Sequence, residues 1–172
     1  MEPTSVTAGV VTIRILFILL PLIMGTIHIF WRKNYPGFSK IECYFSYFLV
    51  IGVGLQSLLI GHLEMAQGEL VATYIGWPNT PFLSELGKAN VAFGILGVLC
   101  FWFKGGWRSA TALGYSLFLM MAAFGHYRYF IYENHAHAAT IGPLIATNMI
   151  LATCLFVLLI IRSAASKKFS PY

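Results

Sequence analysis

Charge is what this chain has least of. Asp, Glu, Lys and Arg make up 10% of its 172 residues, where a soluble globular domain carries about a quarter. Hydrophobic residues reach 58% and the mean hydropathy is +0.75, so a water-soluble fold is excluded and an integral membrane protein is implied. Cysteine is equally sparse. Cys43, Cys100 and Cys154 stand far apart with no Cys-x-x-Cys or Cys/His spacing, which argues against a disulfide framework or a thiolate metal site and leaves three small apolar helix residues. The chain has no His-Glu-x-x-His motif, no internal repeat and no low-complexity run. Its net charge of +5 and pI near 9.2 come without a basic cluster interleaved with aromatics, so no nucleic-acid partner is expected.

Long apolar runs fill the rest. They predict an all-α membrane bundle of about five transmembrane helices in one domain, 1–172, with spans near 8–31, 44–65, 84–103, 109–132 and 141–161. The first run is too long for a signal peptide, lacks a basic start and ends in aromatics rather than a small-residue cleavage site, so it is expected to be retained. Segment 66–83 contains Gly68, Glu69, Pro78 and Pro81 and is too broken to span. It reads as interfacial, with 71–74 lying on the bilayer and Trp77 anchoring it.

Orientation follows from the basic residues. Arg32, Lys33, Lys40, Lys104, Arg108, Arg162, Lys167 and Lys168, 8 of the 11 Lys and Arg, fall on one side, which the positive-inside rule makes cytoplasmic. The amino terminus is then outside and the carboxy terminus inside, in a cell inner (plasma) membrane. Glu2, Glu64, Glu69, Glu85 and Glu133 fall on the opposite side. Trp31, Trp102 and Trp107 mark the inner interface, and Tyr74, Trp77, Tyr129 and Tyr132 the outer one.

The central stretch is 75–97, where a Trp-Pro and an Asn-Thr-Pro turn precede an apolar helix carrying Glu85, Lys88 and Asn90. Gly87, Asn90, Gly94 and Gly97 form one small-and-polar stripe on that helix, a seam for close helix approach. Gly114, Phe118, Ala122 and Gly125 of the fourth span are its expected complement, and they carry His126 toward the same interior. Glu85 and Lys88 are spaced to pair. His62, Glu85, Lys88, His126 and Arg128 all fall in the outer quarter of the bilayer, with His135 and His137 in the following loop. Ionisable groups there normally face the bundle interior.

Three chemistries suit this group. His62, Glu85, His126 and one of His135 or His137 are a reasonable ligand set for a metal ion. His62 and His126 on two helices suit a haem. Glu85, Lys88, His62 and Arg128 suit an anionic or quinone-like molecule or a proton relay. The plainer reading makes the spanning histidines interfacial caps and leaves the loop pair in water. Other polar residues have simpler expectations: Arg14 snorkels outward, Gln56 and Asn148 bond between helices, and Pro21 and Pro143 kink or start helices.

Gly61-His62, Ile75 to Pro78, Pro81-Phe82 with Glu85, Ala89-Asn90 and Gly125-His126 occur in an order and spacing that resemble an uncharacterised family of small prokaryotic polytopic membrane proteins. The Gly-x-Pro-type turn leading into a Gly- and Glu-containing helix is more weakly similar to DoxX-like membrane proteins, which often accompany redox enzymes. That resemblance implies a quinone-linked role by analogy, and the residues together lead to the expectation of a small binding or accessory subunit holding a metal, haem or small hydrophobic ligand near the outer face, with Trp77 and Asn90 among the binding residues, beside a redox or respiratory complex, another membrane protein or a second copy. The alternative expectation is a membrane enzyme using His62, Glu85 and His126 as metal ligands or acid/base residues.

Overall fold

The computed structural model describes residues 3–31, 37–75, 77–132 and 138–169. These form α1 (Pro3–Trp31), α2 (Gly37–Tyr47), a π-helical stretch (Phe48–Leu55), α3 (Gln56–Ala66), α4 (Gly68–Ile75), α5 (Pro81–Leu99), α6 (Gly106–Tyr132) and α7 (Ala138–Phe169). No strand occurs among the described residues. In hydrocarbon every backbone polar group must be satisfied within its own segment, which helices achieve. Among the described residues four helices are long and apolar enough to cross a membrane: Val11–Trp31, Lys40–Ala66, Pro81–Leu99 and Ile141–Ala165. The chain is a multi-pass membrane protein with a helical bundle. α6 falls outside those four, although its 27 residues give it ample length, because arginines, hydroxyls and His126 dilute its apolar content.

The second crossing runs without a break from α2 through the π-helical stretch into α3. The wider π turns hold Gly52 and Gly54, both buried, and deliver Gln56 at the first position of α3 facing inward. Such π insertions often sit beside functional sites. α5 opens where the sequence expects a helix to open. Thr80 is extended at the N-cap and Pro81 occupies the first turn, a position where its missing N–H loses nothing. The helix stops at Leu99, and Phe101 and Trp102 continue in turns bonded to Val98 and Leu99, so the third span is Pro81–Leu99, shifted toward the amino terminus from the expected 84–103. Gly105 then takes a φ of 64°, left-handed backbone that favours glycine, and lets α6 start back.

The seam on α5 is buried along its length at Gly87, Asn90, Gly94 and Gly97. Its partner is the second crossing, not the fourth. A Cβ on Gly61 would lie 2.5 Å from the Gly87 carbonyl oxygen, and one on Gly97 would lie 2.7 Å from the Gly54 Cα. Gly125, by contrast, has nothing within 4 Å of where its Cβ would be, and Gly114 only the Phe93 ring at 3.7 Å. The buried set Gly54, Ser57, Gly61 and Glu64 repeats the spacing of Gly97, Gly94, Asn90 and Gly87 in the reverse direction. The two helices therefore meet backbone to backbone.

Below this seam lies the main core, built on Phe45, Phe48, Leu49, Val53, Tyr115, Leu119, Leu151 and Leu155. The Ser57 hydroxyl donates to the Tyr115 hydroxyl at 2.8 Å inside it. A second cluster of Ala72, Tyr74, Ile75, Leu83 and Leu144 closes the other end. Within segment 66–83, α4 turns Ala72, Tyr74 and Ile75 inward, because those side chains have an apolar cluster to bury against, and leaves Leu70 exposed.

Candidate functional site

Inside the end closed by α4 lies a cavity of about 130 Å³, lined by Arg14, Gln56, Glu64, Tyr74 and His126 among apolar residues that include Phe17, Leu59, Leu63, Leu86 and Leu144. Its wall draws on α1, α3, α4, α5, α6 and α7. A space of this size is comparable to one that takes up a single benzene ring. Mostly apolar walls with a few convergent polar groups are the usual composition of a small-molecule site.

Each polar residue reaches the cavity for a local reason. Arg14 is drawn inward by Asn148 of α7, whose Oδ1 accepts from the arginine Nη1 at 2.7 Å. It does not snorkel outward, because an interhelical amide offers the guanidinium a partner within the bundle. Asn148 does bond between helices, as its place in a span leads one to expect. Glu64 is 8% exposed and accepts from Asn90 Nδ2 at 2.7 Å, where the glycine contacts bring α3 and α5 together. Tyr74 comes from α4, and burial pushes its phenol above the ordinary value, with the Arg14 charge acting in the opposite sense. The hydroxyl therefore stays a proton donor through the physiological range.

Four of the residues that line the cavity each carry a buried side-chain atom with no hydrogen-bond partner among the described residues: Arg14 Nε, Gln56 Oε1, Tyr74 OH and His126 Nδ1. Buried polar groups are ordinarily paired, since an unmet donor or acceptor costs about 1–3 kcal/mol. Four of them belong to residues that line one cavity. Trp77 backs the site from outside, its ring centroid 5.0 Å from that of His126 and 6.1 Å from that of Tyr129. Its Nε1 is also without a partner.

The residues singled out from sequence divide sharply. His126, Asn90 and Trp77 belong to the site or to its immediate support. His62 and Arg128 are exposed. Glu85 and Lys88 do pair, at 2.6 Å, but with side chains 64% and 59% exposed they lie on the exterior. The proposed metal set of His62, Glu85, His126, His135 and His137 is not brought together: His126 is buried while His62 and Glu85 face outward, and His135 and His137 lie outside the described residues. Among the described residues no three of His, Cys, Asp and Glu are grouped to hold a metal ion. A haem between His62 and His126 meets the same obstacle and a cavity of one-ring size.

Sequence reasoning did not assign Arg14, Glu64 or Tyr74 to a site. Glu64 had a legible signal, since it ends the stripe that mirrors the α5 seam. For Arg14 the near-uniform apolarity of α1 gives no face to read.

At the opposite end, Glu42 takes Arg108 Nη1 at 2.6 Å and Arg162 Nε at 2.5 Å. Arg108 Nε also donates to the Cys100 carbonyl at 2.8 Å and Arg162 Nη1 to Ser109 Oγ at 2.8 Å. This clamp ties α2, α6 and α7 through one carboxylate shared by two guanidiniums. It is structural.

A family model matches residues 11–168, and its description is a family of unknown function, DUF6790. No match was found among curated proteins or among solved structures.

Proposed function

The chain belongs to that family of unknown function, and from the site itself we propose that it is a small membrane-embedded binding protein whose cavity holds a compact, mostly apolar molecule bearing an oxygen acceptor. The observation that carries this reading is that four residues lining one mostly apolar cavity, Arg14, Gln56, Tyr74 and His126, each keep a buried polar atom without a partner. Arg14 and Tyr74 donate to the guest's oxygen, and the apolar wall takes its body. In this reading five helices cross the inner membrane, with the amino terminus outside and the cavity near the outer face, where the positive-inside rule puts it. An accessory role beside a redox or respiratory complex is the partnered form of the same function.

Native mass spectrometry of protein purified in mild detergent tests the reading. The expected outcome is a small molecule bound to wild type and lost from Arg14→Gln, which keeps an amide for Asn148, and from Leu63→Trp, which fills the cavity. A guest retained in both variants, or none in wild type, overturns it. A second reading rests on the Glu64 carboxylate and the His126 imidazole lining the same cavity, an acid and a base for a membrane enzyme in place of the exterior Glu85 and His62. Chemical change of the recovered guest on incubation would distinguish that enzyme from a carrier.

A further inference from the structure

The cavity is lined by one guanidinium and one carboxylate that are not in ion-pair contact. The ion pairs among the described residues are Lys88–Glu85, Arg108–Glu42 and Arg162–Glu42, and Arg14 with Glu64 is not one of them. Each is instead bonded to a neutral amide from another helix: Arg14 to Asn148, and Glu64 to Asn90. At the opposite end, where no cavity intervenes, the same residue types close into direct pairs. Opposite charges in an apolar interior gain most by meeting, and a charge left buried without its counterpart is heavily penalised. That the two line one cavity without pairing is therefore what needs explaining. The unpartnered atoms sort the same way, with Arg14 Nε a donor and Gln56 Oε1 an acceptor, while Tyr74 OH and His126 Nδ1 can serve either role.

We propose that the guest is neutral overall but dipolar, presenting an anionic oxygen group to Arg14 and a cationic or hydroxyl donor to Glu64, on an apolar body no larger than a single ring or branched chain. This deepens the binding reading and rests on it. A guest of one charge sign would answer only one of the two residues and leave the other buried beside an added charge. A guest carrying both completes two charge-assisted hydrogen bonds without changing the net charge of the site. Small apolar amino-carboxylic acids are the chemical class that fits.

Three probes with one branched skeleton test it: L-leucine, 4-methylpentanoate, which lacks the ammonium, and isopentylamine, which lacks the carboxylate. Thermal unfolding of the full chain in mild detergent reads binding as a rise in Tm. The expected result is a rise of several degrees with leucine and a small or absent rise with the other two. Glu64→Gln should then transfer preference to 4-methylpentanoate, and Arg14→Gln to isopentylamine, a switch that loss of fold alone cannot produce. Both variants are first checked for an unliganded unfolding transition. Equal stabilisation by leucine and 4-methylpentanoate in wild type overturns the dipolar guest while leaving the binding reading standing. No stabilisation by any probe overturns the assignment of ligand class, and the binding reading is judged separately by its native mass spectrum. A leucine effect unchanged in both variants also overturns the proposal, since neither charge would then be touching the guest.

Discussion

Asn90 shows how much of the site depends on a single amide. Its Nδ2 is the donor that meets Glu64 in the apolar end of the bundle, and Asn90 itself is only 6% exposed. Asn90→Ala should remove that donor and leave the carboxylate short of a partner, destabilising the fold by about 1–3 kcal/mol, measurable as a lowered Tm in detergent. Adding Glu64→Gln to it should recover part of the loss, because a neutral amide is cheaper to leave in that environment than a carboxylate. Equal Tm values for wild type and Asn90→Ala would mean the pair does not hold in the membrane. Asn90 was legible from sequence because it sits among glycines on a recognisable face, whereas His126 was reached through Gly114 and Gly125, which are not on the buried face of α6 that it shares with Tyr115, Leu119 and Ala123. His62 and Glu85 were named on depth alone, and depth does not fix azimuth: Glu64, two residues beyond His62, turns inward while His62 turns outward. Arg14 was legible as an intramembrane charge but not as an inward one, since its partner Asn148 lies on the last helix and no local pattern joins them.

At the level of elements, the second crossing and α5 are held by the absence of side chains. Gly61 and Gly87 let backbone meet backbone, as do Gly54 and Gly97, and that closeness is what puts Glu64 within reach of Asn90. Without a hydrophobic driving force between helices in lipid, such packing supplies much of the association. Gly61→Ala would set a methyl against the Gly87 carbonyl oxygen and the Val91 backbone nitrogen, 2.5 and 2.9 Å from the new carbon, so one helix must move. The expected loss is about 1–3 kcal/mol, together with loss of ligand binding. Gly125→Ala is the control, with open space at its Cβ, and should be neutral or stabilising by up to about 1 kcal/mol because alanine favours helix. A Gly61→Ala protein as stable as the Gly125→Ala one would refute backbone contact at the seam. The α5 side of the seam was visible in its glycine spacing. Its partner was mistaken for the fourth span because Gly114 and Gly125 also lie in a helix with a histidine, whereas the matching stripe from Gly54 to Glu64 mixes two glycines with Ser57 and starts within a π-helical stretch that helical periodicity does not anticipate. The packing of α4 was not legible for a related reason: eight residues with an apolar side look the same whether that side meets lipid or a cavity rim.

Over the whole molecule, the two polar assemblies set the scale of the bundle. Arg108 joins the clamp and His126 lines the cavity, and both are buried on α6. The rise between them is about 27 Å at 1.5 Å per residue, close to the roughly 30 Å of a hydrocarbon core. Along the second crossing, Glu42 and Glu64 are separated by about 33 Å on the same reckoning. An apolar middle with a polar group at each end is the form of a spanning unit, so α6 has the geometry of a fifth crossing even though its composition keeps it from the four most apolar helices. Cysteine labelling in intact cells with a membrane-impermeant maleimide decides the point, using exposed positions and subtracting the signal of Cys43, Cys100 and Cys154. Asn79, in the stretch before α5, and Tyr132, at the end of α6, should both label from outside when changed to cysteine. Lys104, in the turn between α5 and α6, should label only after permeabilisation. Labelling of Lys104→Cys and Tyr132→Cys from the same side would mean that α6 does not cross, and labelling of Lys104→Cys alone from outside would invert the orientation and move the cavity to the cytoplasmic face. The result also bears on the guest, because a cavity at the outer face samples molecules outside the cell, while the same cavity inverted would draw on the cell's own pool.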